Sequence, residues 1–308
     1  MLRVAFCDPS NTEPQAWLEE LRARLPGMAV EHWADGDPPA DYAVVWGPPQ
    51  RFIDQQIRLR ALFNVGAGVD RLLRLRLPAG LKVVRLEDAG MGVQMAEYVC
   101  HAISHHFREF ASYAEQATHG AWVRRSPRSK ADFPVGILGL GVLGQRVAAA
   151  LRLFGYPVLG WSRTARALDG ITAFAGDGGL GPFLARSRAL VCLLPLTPDT
   201  RGILNRANLS QLPAGAIVVN VARGEHLVEA DLLALLESGQ LAGAVLDVFA
   251  TEPLPPGHPF WRHSRIRVTP HTSAQTLRGA SLAQIAGKIL ALERGEAVAG
   301  VVDLVRGY

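Results

Sequence analysis

The stretch VGILGLGVLGQRVAAALRLFGYPVLGW, residues 135–161, decides the fold. It opens and closes on short apolar runs, and between them glycines at 139, 141 and 144 precede an amphipathic, alanine-rich segment. That order predicts a strand, a tight turn, a helix and a second parallel strand. Each glycine then has its own task. Gly139 permits the sharp turn, Gly141 lets a charged group approach the backbone, and Gly144 lets the helix pack closely on the strand. Val142 and Leu143 begin the helix, whose N–H groups and positive end favour an anion. A dinucleotide pyrophosphate is the expected occupant.

On either side of this stretch, strand-like runs alternate with helical ones, which argues for parallel α/β architecture. Before it stand RVAFC, MAVEHW, YAVVW, ALFNVG and KVVRL; from it onward come VGILGLG, PVLGW, ALVCLLP, AIVVNVA, AGAVLDVF and RIRVTPH. The simplest reading is α/β with two doubly wound parallel-sheet domains, a flavodoxin-like one and a Rossmann one that binds the dinucleotide. Residues 95–110 read as a helix linking them, and EADLLALLESGQ, 229–240, reads as a crossover that Gly239 can end. The tail AQTLRGASLAQIAGKILALERGE reads as a long helix packing back on the first unit. The expected boundaries are therefore 1–97 plus 275–308 for the first domain and 98–274 for the Rossmann domain.

Composition narrows the class. The chain has 308 residues, 49% of them apolar, but no window approaches a membrane span, and MLRVAFCD enters a strand-like run with no leader. A soluble cytoplasmic protein with no membrane partner is expected. Cys7, Cys100 and Cys192 are far apart and lack CxxC spacing, so neither a disulfide framework nor a metal site is expected. His101 and His105 stand four apart without the glutamate of HExxH, and read as packing or surface residues. The net charge of +4 owes much to VRRSPRSK, 123–130, which reads as a solvated connector and not as a nucleic-acid patch, since aromatic residues are not interleaved with it.

At the end of the second strand an acidic residue usually accepts from a ribose hydroxyl. Here Ser162, Arg163 and Thr164 stand instead, with Arg163 at the expected position and Arg166 as a possible helper. A guanidinium flanked by hydroxyls attracts a 2′-phosphate, so NADPH/NADP+ is the expected cofactor, with NADH still usable. A surface arginine at a strand end is the competing reading.

Three later strand ends carry polar groups that core packing does not explain: NVARGE presents Arg223, DVFATEP presents Asp247 and Glu252, and VTPHTSA presents His271. In an open α/β sheet the carboxyl ends of strands face one crevice, where these groups can converge. The combination of GLGVLG, NVARGE, LDVFATEPLP and TPHTSA resembles the D-isomer-specific 2-hydroxyacid dehydrogenase family over nearly the whole chain. WSRTAR, VVWGPP, NVGAGVD, MGVQMAEYV, FWRHSRIRVTPH and VDLVRGY narrow the resemblance to its glyoxylate and hydroxypyruvate reductases.

The resemblance implies that the first domain binds substrate and that Arg223 meets the substrate's carboxylate and carbonyl. It makes His271 the proton donor beside the cofactor, and gives Glu252 the task of orienting and charging that histidine. Asp247 is implied to hold the nicotinamide carboxamide, with Pro195, Leu196, Thr200 and Val221 lining the cofactor cleft. In NVGAGVD, Ala67, Gly68 and Val69 are placed to hold a carboxylate through backbone N–H groups, and Trp46 to shape a small pocket. Thr272 departs from the apolar residue these reductases often have after the histidine. The implied reaction is reduction of a small 2-keto acid, glyoxylate to glycolate or hydroxypyruvate to D-glycerate, by a homodimer. A broader 2-ketoacid reductase, a phosphoglycerate dehydrogenase-like enzyme and a dinucleotide-sensing corepressor module are the alternatives. The phosphoglycerate reading is disfavoured because the chain carries no regulatory extension.

Overall fold

In the computed structural model, which describes residues 1–308, strands and helices alternate along the chain. They run β1 (Arg3–Cys7), α1 (Pro14–Arg24), β2 (Ala29–His32), β3 (Tyr42–Val45), α2 (Gln50–Gln55), β4 (Ala61–Asn64) and β5 (Lys82–Val84). Then follow α3 (Met91–Phe107), α4 (Phe110–Thr118), β6 (Val135–Leu138), α5 (Val142–Leu153), β7 (Val158–Ser162), β8 (Thr172–Ala175) and α6 (Gly176–Leu184). The chain continues through β9 (Ala189–Cys192), α7 (Arg206–Leu209), β10 (Ala216–Asn220), α8 (Glu229–Glu237), β11 (Leu241–Leu246), β12 (Ile266–Val268) and α9 (Arg278–Glu293). It divides into two units, Met1–Met91 with Thr276–Tyr308, and Gly92–Gln275.

The first unit holds a five-stranded parallel sheet in the order β2-β1-β3-β4-β5, the flavodoxin-like arrangement. Its central strands β3 and β4 are buried along their whole length, as strands covered on both faces must be. Within this unit Arg278, at the start of α9, pairs with Glu20 of α1 at 3.2 Å, and Val84 bridges to Val301.

The second unit holds a seven-stranded parallel sheet, β12-β11-β10-β9-β6-β7-β8. Side-chain alternation along its strands builds two cores. Val135, Ile137, Ala189, Val191, Ile217 and Val219 pack with Val147 and Leu151 of α5, while Leu138, Leu190, Val218 and Leu246 pack with Leu232 and Leu236 of α8. Each such buried aliphatic side chain contributes about 1.5–3 kcal/mol. The strand order reverses between β6 and β9, so the turn after β6 opens at a switch point, the usual place for a ligand crevice.

Three sequence expectations change. The second sheet has seven strands and not six, because 172–175 forms an edge strand on β7. The linking helix starts at Met91 and stops at Phe107, and a separate helix, α4, begins after Glu109, whose φ is +55°. The crossover helix ends at Glu237, ahead of Gly239 with φ +78°. The His101 and His105 rings pack at 5.7 Å in a tilted arrangement, with Arg267 donating to His101 at 3.1 Å. The connector is exposed from 123 to 129, and its Arg125 and Arg128 both pair with Glu109.

In the last turn of α3, His106 packs beside Phe133, and burial, reinforced by Arg128, lowers its imidazole to about 4. The unfolded ring titrates near 6.5. Below that pH the unfolded chain takes up a proton that the folded ring refuses, so this contribution to stability is full above pH 6.5 and is lost as pH falls toward 4. His106→Gln is therefore expected to flatten the fall in Tm between pH 7 and pH 4.5; an unaltered slope would remove His106 as a cause.

Candidate active site

The glycine turn has the space that an anion needs. Gly139 stands at φ +102°, and a Cβ there would lie 2.7 Å from the Leu193 carbonyl oxygen. At Gly144 a Cβ would come within 2.0 Å of the Gly139 carbonyl oxygen, so only glycine lets α5 start this close to the strand. Gly141, the residue before the helix, faces open space, and Val142 beside it is exposed, with Leu143 half-buried after it. A bare, accessible helix N-terminus at the switch point fits a dinucleotide pyrophosphate.

Across the edge of this cradle, β7 ends in half-buried Ser162, followed by exposed Arg163 and Thr164. Ser162 Oγ donates to the Thr164 carbonyl at 2.8 Å and shapes the turn that carries Arg163. Arg166 folds back to donate to the Leu140 carbonyl at 3.3 Å, inside the glycine turn. The Arg166 guanidinium therefore borders the glycine turn, and exposed Arg163 follows the end of β7.

After β9 the chain turns at Pro195–Thr200. Thr200 Oγ1 donates to the Pro195 carbonyl at 2.7 Å and accepts from the Thr197 N–H at 2.9 Å, while Leu196 is half-buried. Val221, the residue after β10, is buried.

Arg223 follows on a turn that three hydrogen bonds shape. Asn220, fully buried, donates to the Arg223 carbonyl at 2.9 Å and accepts from the Ala222 N–H at 3.2 Å. Arg223 itself donates to the Ala222 carbonyl at 2.7 Å. A Cβ on Gly224 would lie 1.8 Å from the Phe249 carbonyl carbon, so the arginine turn rests on the backbone that leads to Glu252.

Glu252 and His271 are joined directly. Oε1 of Glu252 accepts from the Phe249 N–H at 3.1 Å, and Oε2 lies 2.9 Å from His271 Nδ1. A carboxylate only accepts, which assigns the proton to Nδ1 and leaves Nε2 as the nitrogen for transfer. His271 is the most open member, its side chain 42% exposed, and its φ of +55° turns it out of the loop.

The loop around it hangs from Asp247, which has no exposed surface. Oδ1 accepts from Thr269 Oγ1 at 2.5 Å and from the Thr272 N–H at 2.8 Å; Oδ2 accepts from the Ser273 N–H at 2.8 Å. The His271 N–H reaches the Asp247 carbonyl at 2.9 Å. Asp247 therefore holds the histidine loop through both carboxylate oxygens, a structural task that motif reading did not foresee. Exposed Thr272 takes part through its backbone.

In the first unit, Trp46 follows β3 and covers Gly66, where a Cβ would lie 2.6 Å from the indole. Buried Asn64 donates to the carbonyls of Gly66 and Gly68, both at 3.0 Å, and so turns the neighbouring loop of Ala67, Gly68 and Val69. Asn64, Asn220 and His226 are residues that motif reading missed. An asparagine at a strand end before glycine was the available signal for the first two.

The family model for D-isomer specific 2-hydroxyacid dehydrogenase, NAD binding domain, matches residues 100–273. The chain is 46% identical over 303 residues to glyoxylate/hydroxypyruvate reductase A of Yersinia enterocolitica, covering 96% of this chain and 97% of that one. It superposes with a TM-score of 0.94 on a D-isomer specific 2-hydroxyacid dehydrogenase from Xanthobacter autotrophicus Py2 in complex with NADPH and MES, at 40% identity and 99% coverage of both chains. With the NADPH-dependent glyoxylate/hydroxypyruvate reductase of Sinorhizobium meliloti, in complex with NADP and sulfate, the TM-score is 0.92 at 36% identity and 100% coverage of both.

Proposed function

The chain belongs to the D-isomer-specific 2-hydroxyacid dehydrogenase family, and on that premise we propose that it reduces glyoxylate to glycolate and hydroxypyruvate to D-glycerate with NADPH. The observation that carries this reading is the Glu252–His271 pair, 2.9 Å apart, standing on the same unit as a glycine cradle bordered by Arg166. NADPH, when bound, supplies a hydride for the carbonyl carbon. The residues of the chain do the rest. Gly139, Gly141 and Gly144 admit the pyrophosphate, and Arg163 with Ser162 and Thr164 takes the 2′-phosphate. Pro195, Leu196, Thr200 and Val221 line the same groove.

Arg223 holds the carboxylate and draws charge onto the carbonyl oxygen as that oxygen becomes anionic. His271 Nε2 gives the oxygen its proton, and the neutral ring that remains keeps its Nδ1–H on Glu252. In the first unit, the N–H groups of Ala67, Gly68 and Val69 are carboxylate donors and Trp46 restricts substrate size.

The assembly we propose is a homodimer. Phe110, Tyr113, Trp122 and Val123 expose large apolar surfaces within one short segment, Trp122 at 92%. No helix is long and apolar enough to cross a membrane. Three unpaired, buried thiols, each raised to 11 or 12 or thereabouts chiefly by burial, suit the reducing cytoplasm.

The test is steady-state NADPH oxidation with glyoxylate, hydroxypyruvate, pyruvate, phenylpyruvate and phosphohydroxypyruvate, on protein sized by light scattering. The two small substrates are expected to turn over best, on a dimer. Binding of NADPH without turnover of any keto acid would instead fit a dinucleotide-sensing module. Arg163→Ala is expected to lower the preference for NADPH over NADH by about one to two powers of ten, the worth of a charge-assisted contact of about 1.5–3 kcal/mol. An unchanged ratio would take Arg163 out of this role.

A further inference from the structure

The arginine turn and the Pro195–Thr200 loop come from different strands, yet a single side chain ties them together. His226 lies three residues after Arg223 and has no exposed surface. Its Nε2 is 3.3 Å from the Pro195 carbonyl, and its Nδ1 is 3.2 Å from the Arg223 N–H and 3.1 Å from the Arg223 carbonyl. Burial holds this imidazole below its ordinary range, outweighing the two backbone contacts that pull it upward, and the Arg223 N–H aimed at Nδ1 requires the lone pair that only a neutral ring offers there. A neutral ring carries one N–H, and the Pro195 and Arg223 carbonyls can both only accept, so the Arg223 N–H, which needs a lone pair on Nδ1, decides the tautomer. The proton therefore sits on Nε2, and Nδ1 accepts from Arg223.

The ring's own backbone is held in turn. Leu204 donates to the His226 carbonyl at 2.8 Å, Gly202 donates to the Glu225 carbonyl at 2.9 Å, and Leu204 and Leu227 form a parallel bridge. At the other end, the Pro195 carbonyl takes the Thr200 hydroxyl as well as the imidazole. Thr200 and His226 thus set one carbonyl from two directions. An apolar residue of similar volume would fill the same space, so packing alone does not call for an imidazole; two polar partners on opposite sides do.

We infer that His226 is a positioning residue, a neutral imidazole strut that sets Arg223 for the substrate's carboxylate and the Pro195–Thr200 loop for the dinucleotide. The inference rests on the proposed roles of these two segments. It predicts that substrate and cofactor binding can be separated by which ring nitrogen is mimicked. An asparagine amide oxygen falls near Nδ1, and a glutamine amide nitrogen falls near Nε2.

The test compares the wild type with His226→Phe, His226→Asn and His226→Gln, measuring NADPH Kd by fluorescence, KM for glyoxylate, kcat and Tm. His226→Phe is expected to raise both the NADPH Kd and the glyoxylate KM about tenfold, the effect of losing a hydrogen bond worth about 1.4 kcal/mol to each segment. His226→Asn should recover most of the glyoxylate KM and leave the Kd high. His226→Gln should recover most of the Kd and leave the KM high. Constants that stay at wild-type values in all three variants while only Tm falls, or that move equally in His226→Asn and His226→Gln, would reduce His226 to packing and overturn the inference. Should the wild type reduce no keto acid, the functional reading fails by itself. The NADPH Kd across the same variants still decides whether His226 governs the loop.

Discussion

Replacing His271 by alanine is expected to lower kcat for 2-keto-acid reduction by about 10²–10⁴, the usual worth of a positioned general acid. The oxygen of the keto acid becomes basic only as the hydride arrives, so its proton must already be in place. Nε2 is the one nitrogen of this ring that Glu252 leaves to serve, because Nδ1 is bound at 2.9 Å. Without the imidazole, water is the remaining donor, and it is neither oriented nor held. The variant also disturbs a backbone at φ +55°, a conformation that asparagine accepts more readily than alanine. His271→Asn is the control for that second effect. Equal loss in both variants, with Tm retained in His271→Asn, assigns the loss to proton donation. A variant of either kind turning over at the full rate would refute the assignment.

Residues whose role is local were legible in the sequence, and residues whose role is set by distant partners were not. The glycines of the turn need one another within six positions, and strands buried on both faces announce themselves as unbroken apolar runs. The strand at 172–175 and the helix at 176–184 gave no such signal. TAFA is short and half-exposed, and becomes a strand only because β7 offers it a free edge. GDGGLGPFL contains four glycines and a proline, a sequence that disfavours helix by propensity. It is helical because Phe183 and Leu184 are buried and because the Trp161 indole donates to the Gly176 carbonyl at 2.9 Å.

The site divides in the same way. Arg223, Glu252 and His271 stand in short motifs that resemble a known family, and the structure joins Glu252 to His271. His226 stands one residue beyond NVARGE, and Tyr98 and Thr269 stand in MGVQMAEYV and TPHTSA, but nothing in those motifs marks them as partners. Tyr98 and Thr269 meet at 2.5 Å across 171 positions of chain, a distance no local pattern spans. Asp247 was visible as a residue, but its surroundings were not. Its carboxylate could be seen to serve the loop only once three donors were found aimed at it.

Those three donors make Asp247→Ala the second large effect. A hydrogen bond to a charged group contributes about 1.5–3 kcal/mol, and a buried donor left without an acceptor costs a similar amount. With the Thr269 hydroxyl and the N–H groups of Thr272 and Ser273 all released from a fully buried acceptor, a loss of at least about 3 kcal/mol is expected. That is more than a hundredfold in the unfolding equilibrium, and about 6–12 °C in the Tm of a unit of this size. Asp247→Asn keeps one carbonyl oxygen but turns an NH₂ group toward a donor, so it should recover only part of the loss. Both variants keep the backbone bond from the His271 N–H to the Asp247 carbonyl, since no side chain takes part in it. If the carboxylate holds the loop, kcat must fall along with Tm, because His271 keeps its left-handed turn only within that loop. A loss of Tm with kcat intact would mean that the carboxylate stabilises the unit without directing the histidine. A wild-type Tm in Asp247→Ala would mean that the three donors find other partners, and that the loop is held from elsewhere.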